Sequence, residues 1–497
     1  MSRRRAGWKG FGVWPVALAL MFAGRAGAGE PSAGNGRGNR ELVDGFRLPT
    51  PAFQTEVPAH PVDLVLGRPT RDSITLSVLA HEDLEGQVVW GREPGRLDSR
   101  LPRQVFTNGR PVELVLRSLP PGIRHHYDLQ WRRPGEAGFS GREEGSFTTA
   151  RPPGSPFTFT VQADPHLDFG TDLPAYRRSL TNALAARTDF HMDLGDTFMV
   201  DKYDDFRQAA SQYLAQRYYL GIVGRHAPVF LGLGNHDGET PAKDGRGPDS
   251  RSAWSNTQRK TYFPNPLPDD FYEGNRVPDP QLGPLEDYYA WEWGDALFIV
   301  LDPFWYSGRQ RRDVAENWAR TLGADQYRWL ERVLARSRAR FRFVFIHHLV
   351  GGDSPEGRGG AEASRYFEWG GQELDGRSTF AQKRPGWAMP IHDLLVKQGV
   401  SVVFHGHDHF YACQERDGLV YQLVPQPGHV RYDNLRSAAE YGYRSGVLHG
   451  ASGILRVTVV PEQAVVEYVR AYPAEAEARG HRSGTVTHRY MVGPGRK

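Results

Sequence analysis

Five apolar runs in this chain each end in a short cluster of Asp, Asn and His, and that pattern limits the fold more than any other feature. Thr158 to Ala163 leads into Asp164-Pro165-His166, and Phe190 to Leu194 into Gly195-Asp196. Val229 to Leu233 leads into Gly234-Asn235-His236-Asp237, Phe341 to Ile346 into His347-His348, and Val402 to Phe404 into His407-Asp408-His409. Runs of this length and composition read as buried strands. In a parallel sheet their carboxyl ends converge along one edge. Carboxylate, amide and imidazole donors gathered there suit hard or borderline divalent cations. In an extended segment residues two apart face the same way, so Asp164 and His166 can reach one side of a cluster, as can His407 and His409.

These blocks, in the order DxH, GD, GNHD, H and GHxH, resemble the calcineurin-like metallophosphoesterases, and they extend from Asp164 to His409. The resemblance implies an α/β fold of four layers, α/β/β/α. It also implies two divalent metal ions (Mn, Fe or Zn) and hydrolysis of a small-molecule phosphate ester by metal-activated water. One ion would be held by Asp164, His166, Asp196 and His409, and the second by Asp196, Asn235, His347 and His407. Asp196 would bridge them. His236 would remain unligated, contacting substrate and serving as the catalytic acid, with Asp237 or another carboxylate orienting its ring. The resemblance places the ligand at His347. His348 stands as the alternative ligand or as a substrate contact.

Around the motifs, strands alternate with helical stretches, as in layered α/β packing. Helices are expected over Leu173 to Arg187, Asp205 to Val223 and Asp325 to Arg336, with a hairpin from Tyr288 to Leu301 that turns at Gly294-Asp295. Leu419 to Val424, Ile454 to Val460 and Ala464 to Val469 read as further strands. Two stretches, Glu239 to Glu286 and Gly351 to Trp387, read as irregular loops overhanging the metal edge. The second offers Arg358, Arg365, Tyr366 and Trp369 as candidate substrate contacts.

Ahead of this region, short alternating runs from Val62 to Thr149 give the signal of an antiparallel sandwich. Leu119-Pro120-Pro121-Gly122 followed by Tyr127 resembles the turn before the Tyr-bearing strand of fibronectin type III domains, found ahead of the catalytic domain in purple acid phosphatases. His125 stands where the corner Tyr of that domain is usual. Those phosphatases carry DxG in the first block and a Tyr three residues after the bridging Asp. This chain has His166 and Met199 at those positions.

Residues 2–28 read as an export signal: Arg3, Arg4 and Arg5, the apolar stretch Gly12 to Ala23, and Ala26-Gly27-Ala28 as a cleavage site. The stretch falls short of the roughly 20 residues that span a bilayer. A periplasmic or extracellular location without a stable membrane span follows, by the general or the twin-arginine route. The expected division is a signal at 1–28, a flexible linker at 29–60 and a β-sandwich at 61–150. A linker at 151–157, the metallophosphoesterase domain at 158–475 and a C-terminal tail at 476–497 complete it.

With 61 basic and 58 acidic residues interspersed, net charge +3, nothing calls for nucleic acid. The single Cys413 excludes an internal disulfide. Monoesterase, phosphodiesterase and nucleotidase activity all fit the same centre. An exported binding or adhesion protein with a vestigial site is the reading from another class, but no ligand of the set is missing.

Overall fold

The computed structural model describes residues 53–309, 314–352, 354, 356–433 and 435–495. The expected export signal and residues 29–52 of the linker lie outside the described residues. Among the described residues no helix is long and apolar enough to cross a membrane.

Two sheets stack face to face. In the first, the strands run in the order Val229–Leu231, Phe190–Asp193, Phe157–Gln162, Gly453–Val460, Gln463–Arg470 and Val486–Val492. The first three are parallel and the remainder antiparallel. In the second sheet Ala296–Val300, Phe341–Phe345, Val402–His405 and Leu419–Leu423 form a parallel centre. Short antiparallel strands flank it on both sides. Phe159, Phe190, Phe298, Phe343, Phe345 and Phe404 fill the space between the sheets, each fully buried. Alternating strand residues supply the other two interfaces. Tyr176, Leu180, Tyr213 and Leu220, from helices Leu173–Ala185 and Ala210–Gly224, pack on Leu231 and Ile454 of the first sheet. Leu330, Leu334, Leu394 and Leu395, from helices Ala324–Arg336 and Ile391–Lys397, pack on Ile299, Val344 and Val403 of the second. The four layers are therefore α/β/β/α.

The N-terminal region is all β. Val62–Gly67, Ile74–Ala80 and Val112–Leu116 form one sheet, and Leu84–Gly91, Arg124–Arg132 and Gly141–Thr148 carry the other, around a shared core that includes Leu64, Val78, Val88 and Leu129. At its corner His125 places Nε2 3.1 Å from the Pro120 carbonyl, returning the ring to the backbone upstream. This region packs on helix Ala210–Gly224 through buried Arg217, whose Nη1 donates to Ser77 Oγ at 3.0 Å. The Tyr127 hydroxyl donates to the Arg225 carbonyl at 2.9 Å.

Three stretches depart from the expected outline. Residues 53–60 are packed, although they close the expected flexible linker: Gln54 Nε2 donates to the carbonyls of Asp168 and Thr171 at 2.7 and 2.9 Å, and Phe53 stacks on Tyr203 at 4.6 Å. The expected tail contributes Val486–Val492 as the edge strand of the first sheet. Between Glu239 and Glu286 the chain forms helix Arg251–Tyr262, capped by the Ser250 side chain on the Ala253 N–H. Its Arg259 is buried on Glu239, with Nε 2.6 Å from Oε1, and also donates to the carbonyls of Leu285 and Glu286. These bonds tie the helix to both ends of the insertion. Arg259→Met strands a buried carboxylate and is expected to lower stability by roughly 3–5 kcal/mol. Thermal and denaturant unfolding of Arg259→Met and of Arg259→Met/Glu239→Gln measures it. A loss below about 1 kcal/mol for the single variant would place the pair among exposed ion pairs instead.

Candidate metal centre

Strand register brings the motif ends together. Gln162 pairs with Asp193, Asp193 with Leu231, and Phe345 with Phe404, so the turns that follow leave the two sheets at one level. They also lock onto each other. The Asp164 N–H donates to the Gly195 carbonyl at 3.0 Å and the Gly406 N–H to the His347 carbonyl at 2.9 Å. A Cβ at Gly234 would lie 2.0 Å from the Asp196 nitrogen, and one at Gly406 would lie 2.8 Å from Asp164 Oδ2. Glycine in these blocks therefore allows one motif turn to rest against another.

The backbone at the cluster is unusual for side chains of this kind. Asp164, Asp196, His407 and His409 have φ of +57°, +55°, +77° and +66°. The left-handed region is uncommon outside glycine, and such conformations gather at functional sites. Here they aim the side chains inward. The His407 N–H donates to Asp164 Oδ2 at 2.9 Å, and the His236 N–H to Asp196 Oδ1 at 2.7 Å.

Two donor groups result, one of Asp164, His166 and His409 and one of Asp196, His347 and His407, with donor atoms in each within 4.8 Å of one another. Asp196 Oδ2 lies between them, 3.7 Å from His166 Nε2 and 3.2 Å from His347 Nε2. Asn235 Oδ1 is 3.1 Å from His347 Nε2. Buried Asp196 Oδ2 and His166 Nε2 have no hydrogen-bond partner, an expensive arrangement unless a cation is shared between them. Charge points the same way. Burial pushes the Asp164 carboxyl up to about 7, with Asp196 adding to the shift against His347. Burial alone would lower the His347 imidazole, yet the Asp196 and Asp164 carboxylates carry it up to about 9. Carboxylates and imidazoles are thus crowded together away from water, and these oxygen and nitrogen donors fit divalent metal.

Supporting groups, most of them invisible in the sequence, fix which ring nitrogen faces the pocket. His347 Nδ1 donates to the Leu194 carbonyl at 2.9 Å, leaving Nε2 inward. His407 Nε2 is 3.2 Å from the Glu356 carbonyl, leaving Nδ1. Asp168 Oδ2 lies 3.6 Å from His166 Nδ1. His236 Nδ1 is 2.9 Å from Asp201 Oδ1, and Lys243 Nζ holds Asp201 Oδ2 at 2.6 Å. Against the effect of burial, His236 and Lys243 keep the Asp201 carboxyl well below its usual range. Of the two alternatives for the group that orients the ring, the other carboxylate, Asp201, holds it and Asp237 does not. The Asp237 carboxylate accepts the N–H groups of Gly234, Asp196, Thr197 and Phe198, tying the two motif turns together.

The remaining candidates lie elsewhere. His348 Nδ1 is 3.2 Å from the Leu349 carbonyl and its Nε2 3.1 Å from Arg320 Nη1, outside both donor groups. Arg358 supports the His407 turn, donating to the His407 carbonyl at 2.7 Å and to Asp408 Oδ1 at 3.0 Å while lying over Tyr441. Arg365 is exposed against Tyr366. Trp369 is fully buried, with Nε1 donating to the Tyr421 hydroxyl at 2.8 Å, so it is a core side chain and not a substrate contact. Tyr203 accepts from Gln212 Nε2 and stacks on Phe53, and it belongs to neither donor group.

A family model described as calcineurin-like phosphoesterase matches residues 157–411. No curated protein matches the chain. Among solved structures it is similar to PhoD, at 13% identity and a TM-score of 0.61, covering 88% of this chain and 92% of that one. It is also similar to a purple acid phosphatase from yellow lupin (Lupinus luteus) seeds, at 15% identity and a TM-score of 0.56, covering 87% and 74%. These likenesses bear on the fold.

Proposed function

We propose, from the premise that this chain belongs to the calcineurin-like phosphoesterase family and is a metal-dependent phosphoesterase, that it is an exported enzyme with a dinuclear centre that hydrolyses small phosphate esters. Asp164, His166, Asp196 and His409 hold one ion in this reading, and Asp196, Asn235, His347 and His407 the other. Asp196 Oδ2 carries the proposal: a buried, unpartnered carboxylate oxygen between the two donor groups. The ions, when bound, supply an activated water and neutralise charge on the phosphoryl oxygens.

The chain's own residues do the rest. His236 presents Nε2 on the pocket side, 3.9 Å from Asp196 Oδ2, while Asp201 holds Nδ1. Placed so, the ring donates a proton to the leaving alkoxide and stabilises charge on the phosphoryl group. Asp237 keeps the His236 turn in register with Asp196. Arg358 and Asp408 hold the His407 turn. Export rests on residues 2–28 of the sequence, and the boundaries at 61–150 and 158–475 remain our division of the chain.

Metal analysis of the purified protein, paired with a panel of mono-, di- and nucleotide esters, tests the reading. Protein folded with Mn, Fe or Zn supplied that nonetheless carries no metal would overturn it. Positive results in the panel settle monoester against diester preference. A second outcome concerns colour. With His166 and Met199 in place of the purple acid phosphatase residues, and Tyr203 turned to Gln212 and Phe53, iron-loaded and oxidised protein is expected to lack an intense tyrosinate charge-transfer band. A visible spectrum decides this, and a purple protein would mean that a tyrosine reaches the metal.

A further inference from the structure

A second cluster of metal-ligating side chains lies outside the phosphoesterase centre, in the N-terminal β region. Val62–Gly67 and Ile74–Ala80 pair antiparallel with Val62 opposite Ala80, and the His81 N–H donates to the Pro61 carbonyl at 2.9 Å. That register sets His60, just before one strand, and His81, just after the other, on either side of Asp63. His60 Nε2 is 2.8 Å from Asp63 Oδ1, and His81 Nε2 is 2.8 Å from Asp63 Oδ2. The two rings lie 4.6 Å apart at 66°. Asp63 is buried, whereas the His60 and His81 side chains are 20% and 31% exposed.

The hydrogen bonds around His60 narrow what fits between these groups. Its Nδ1 lies 2.7 Å from the Pro58 carbonyl, which can only accept, so Nδ1 carries a hydrogen. In the neutral ring Nε2 then points a lone pair at a carboxylate oxygen. Two acceptors at that distance repel unless positive charge lies between them, as a further proton or a metal ion. His81 brings a second imidazole to the other oxygen. Two imidazoles and one carboxylate, with donor atoms within 4.8 Å of one another, are a donor set for borderline divalent ions. A carbonyl on the far nitrogen of a ligating His is the usual supporting contact.

We propose that His60, Asp63 and His81 form a separate divalent-cation site, zinc being the ion it suits best, with a fourth position open to water at the exposed ring edges. Arg217, whose Nη2 is 3.3 Å from the Asp63 carbonyl, opposes a cation here. The site therefore binds more weakly than the phosphoesterase centre. Bound metal would clip the segment from Phe53 to Pro61 onto the second strand. This segment already reaches Asp168 through Gln54.

Zinc content of the full-length protein, measured for the wild type and for His60→Gln/His81→Gln after equal zinc loading, tests the site. The double variant is expected to bind about one equivalent less and to keep wild-type turnover, since neither histidine belongs to the phosphoesterase centre. Equal zinc content in both proteins would overturn the proposal. Zinc-edge anomalous diffraction from wild-type crystals decides the matter even if the variant fails to fold. A peak between His60 and His81 supports the site, while a peak at Asp196 with none beside Asp63 refutes it.

Discussion

Asp196→Ala is expected to empty the phosphoesterase centre and to reduce kcat/KM by more than the roughly 10- to 100-fold that loss of a supporting partner costs a metal site. The reason is its double engagement. Oδ2 faces both donor groups, while Oδ1 accepts the His236 N–H at 2.7 Å, so alanine removes the shared oxygen and frees the turn that carries His236. Alanine also leaves buried His166 and His347 without the carboxylate oxygen that lies between them. Asp196→Asn separates the two losses, because an amide oxygen can still accept from His236 while the charge is gone. Metal content and turnover measured together on both variants check this. An Asp196→Ala protein that retains its metal and its rate would remove Asp196 from the bridging role. In the wild type, chelation followed by verified metal loss should abolish turnover, and readdition of the ion should restore it.

His236→Ala should behave in the opposite way, lowering turnover by roughly 10²- to 10⁴-fold with metal content nearly unchanged. Its Nδ1 is committed to Asp201, and the other nitrogen stands at the rim of the pocket. The defect should shrink for nitrophenyl esters, whose leaving groups need little protonation. Asp201→Asn should show a smaller effect of the same kind, about 10- to 100-fold, because it misplaces the ring without removing it. Loss of an ion from His236→Ala would instead make His236 a ligand.

The convergence of the motif ends was legible because it is written in short-range pattern, whereas the four layers and the division of the donors between two ions were implied by the family resemblance. Apolar runs of strand length end in Asp, Asn or His, and parallel strands bring such ends to one edge, here to the neighbouring edges of two stacked sheets and not of one. The partners that orient these donors were not legible. Asp201 lies in the short 3-10 turn Val200–Lys202 with no motif spacing of its own, and the groups on His347 and His407 are backbone carbonyls, which every residue possesses. Arg358 and Trp369 show a related difficulty. An Arg or Trp in a long insertion reads as a surface contact until tertiary packing turns it inward, here onto the His407 turn and onto Tyr421. Helix Arg251–Tyr262 escaped because its sequence is polar and its buried face is built from Ser252, Ala253, Asn256 and Arg259, not from a hydrophobic stripe. Val486–Val492 escaped because an edge strand with mostly half-buried or exposed residues carries little apolar signal.

The left-handed backbone at Asp164, Asp196, His407 and His409 bears on how this protein would respond to selection in the laboratory. A conformation of this kind costs a non-glycine residue on the order of 1–3 kcal/mol, and glycine adopts it freely. At these positions heat tolerance and catalysis therefore favour different residues. A library screened for folding alone would drift toward glycine there and return sturdy, inactive proteins, so a useful screen must couple survival to turnover.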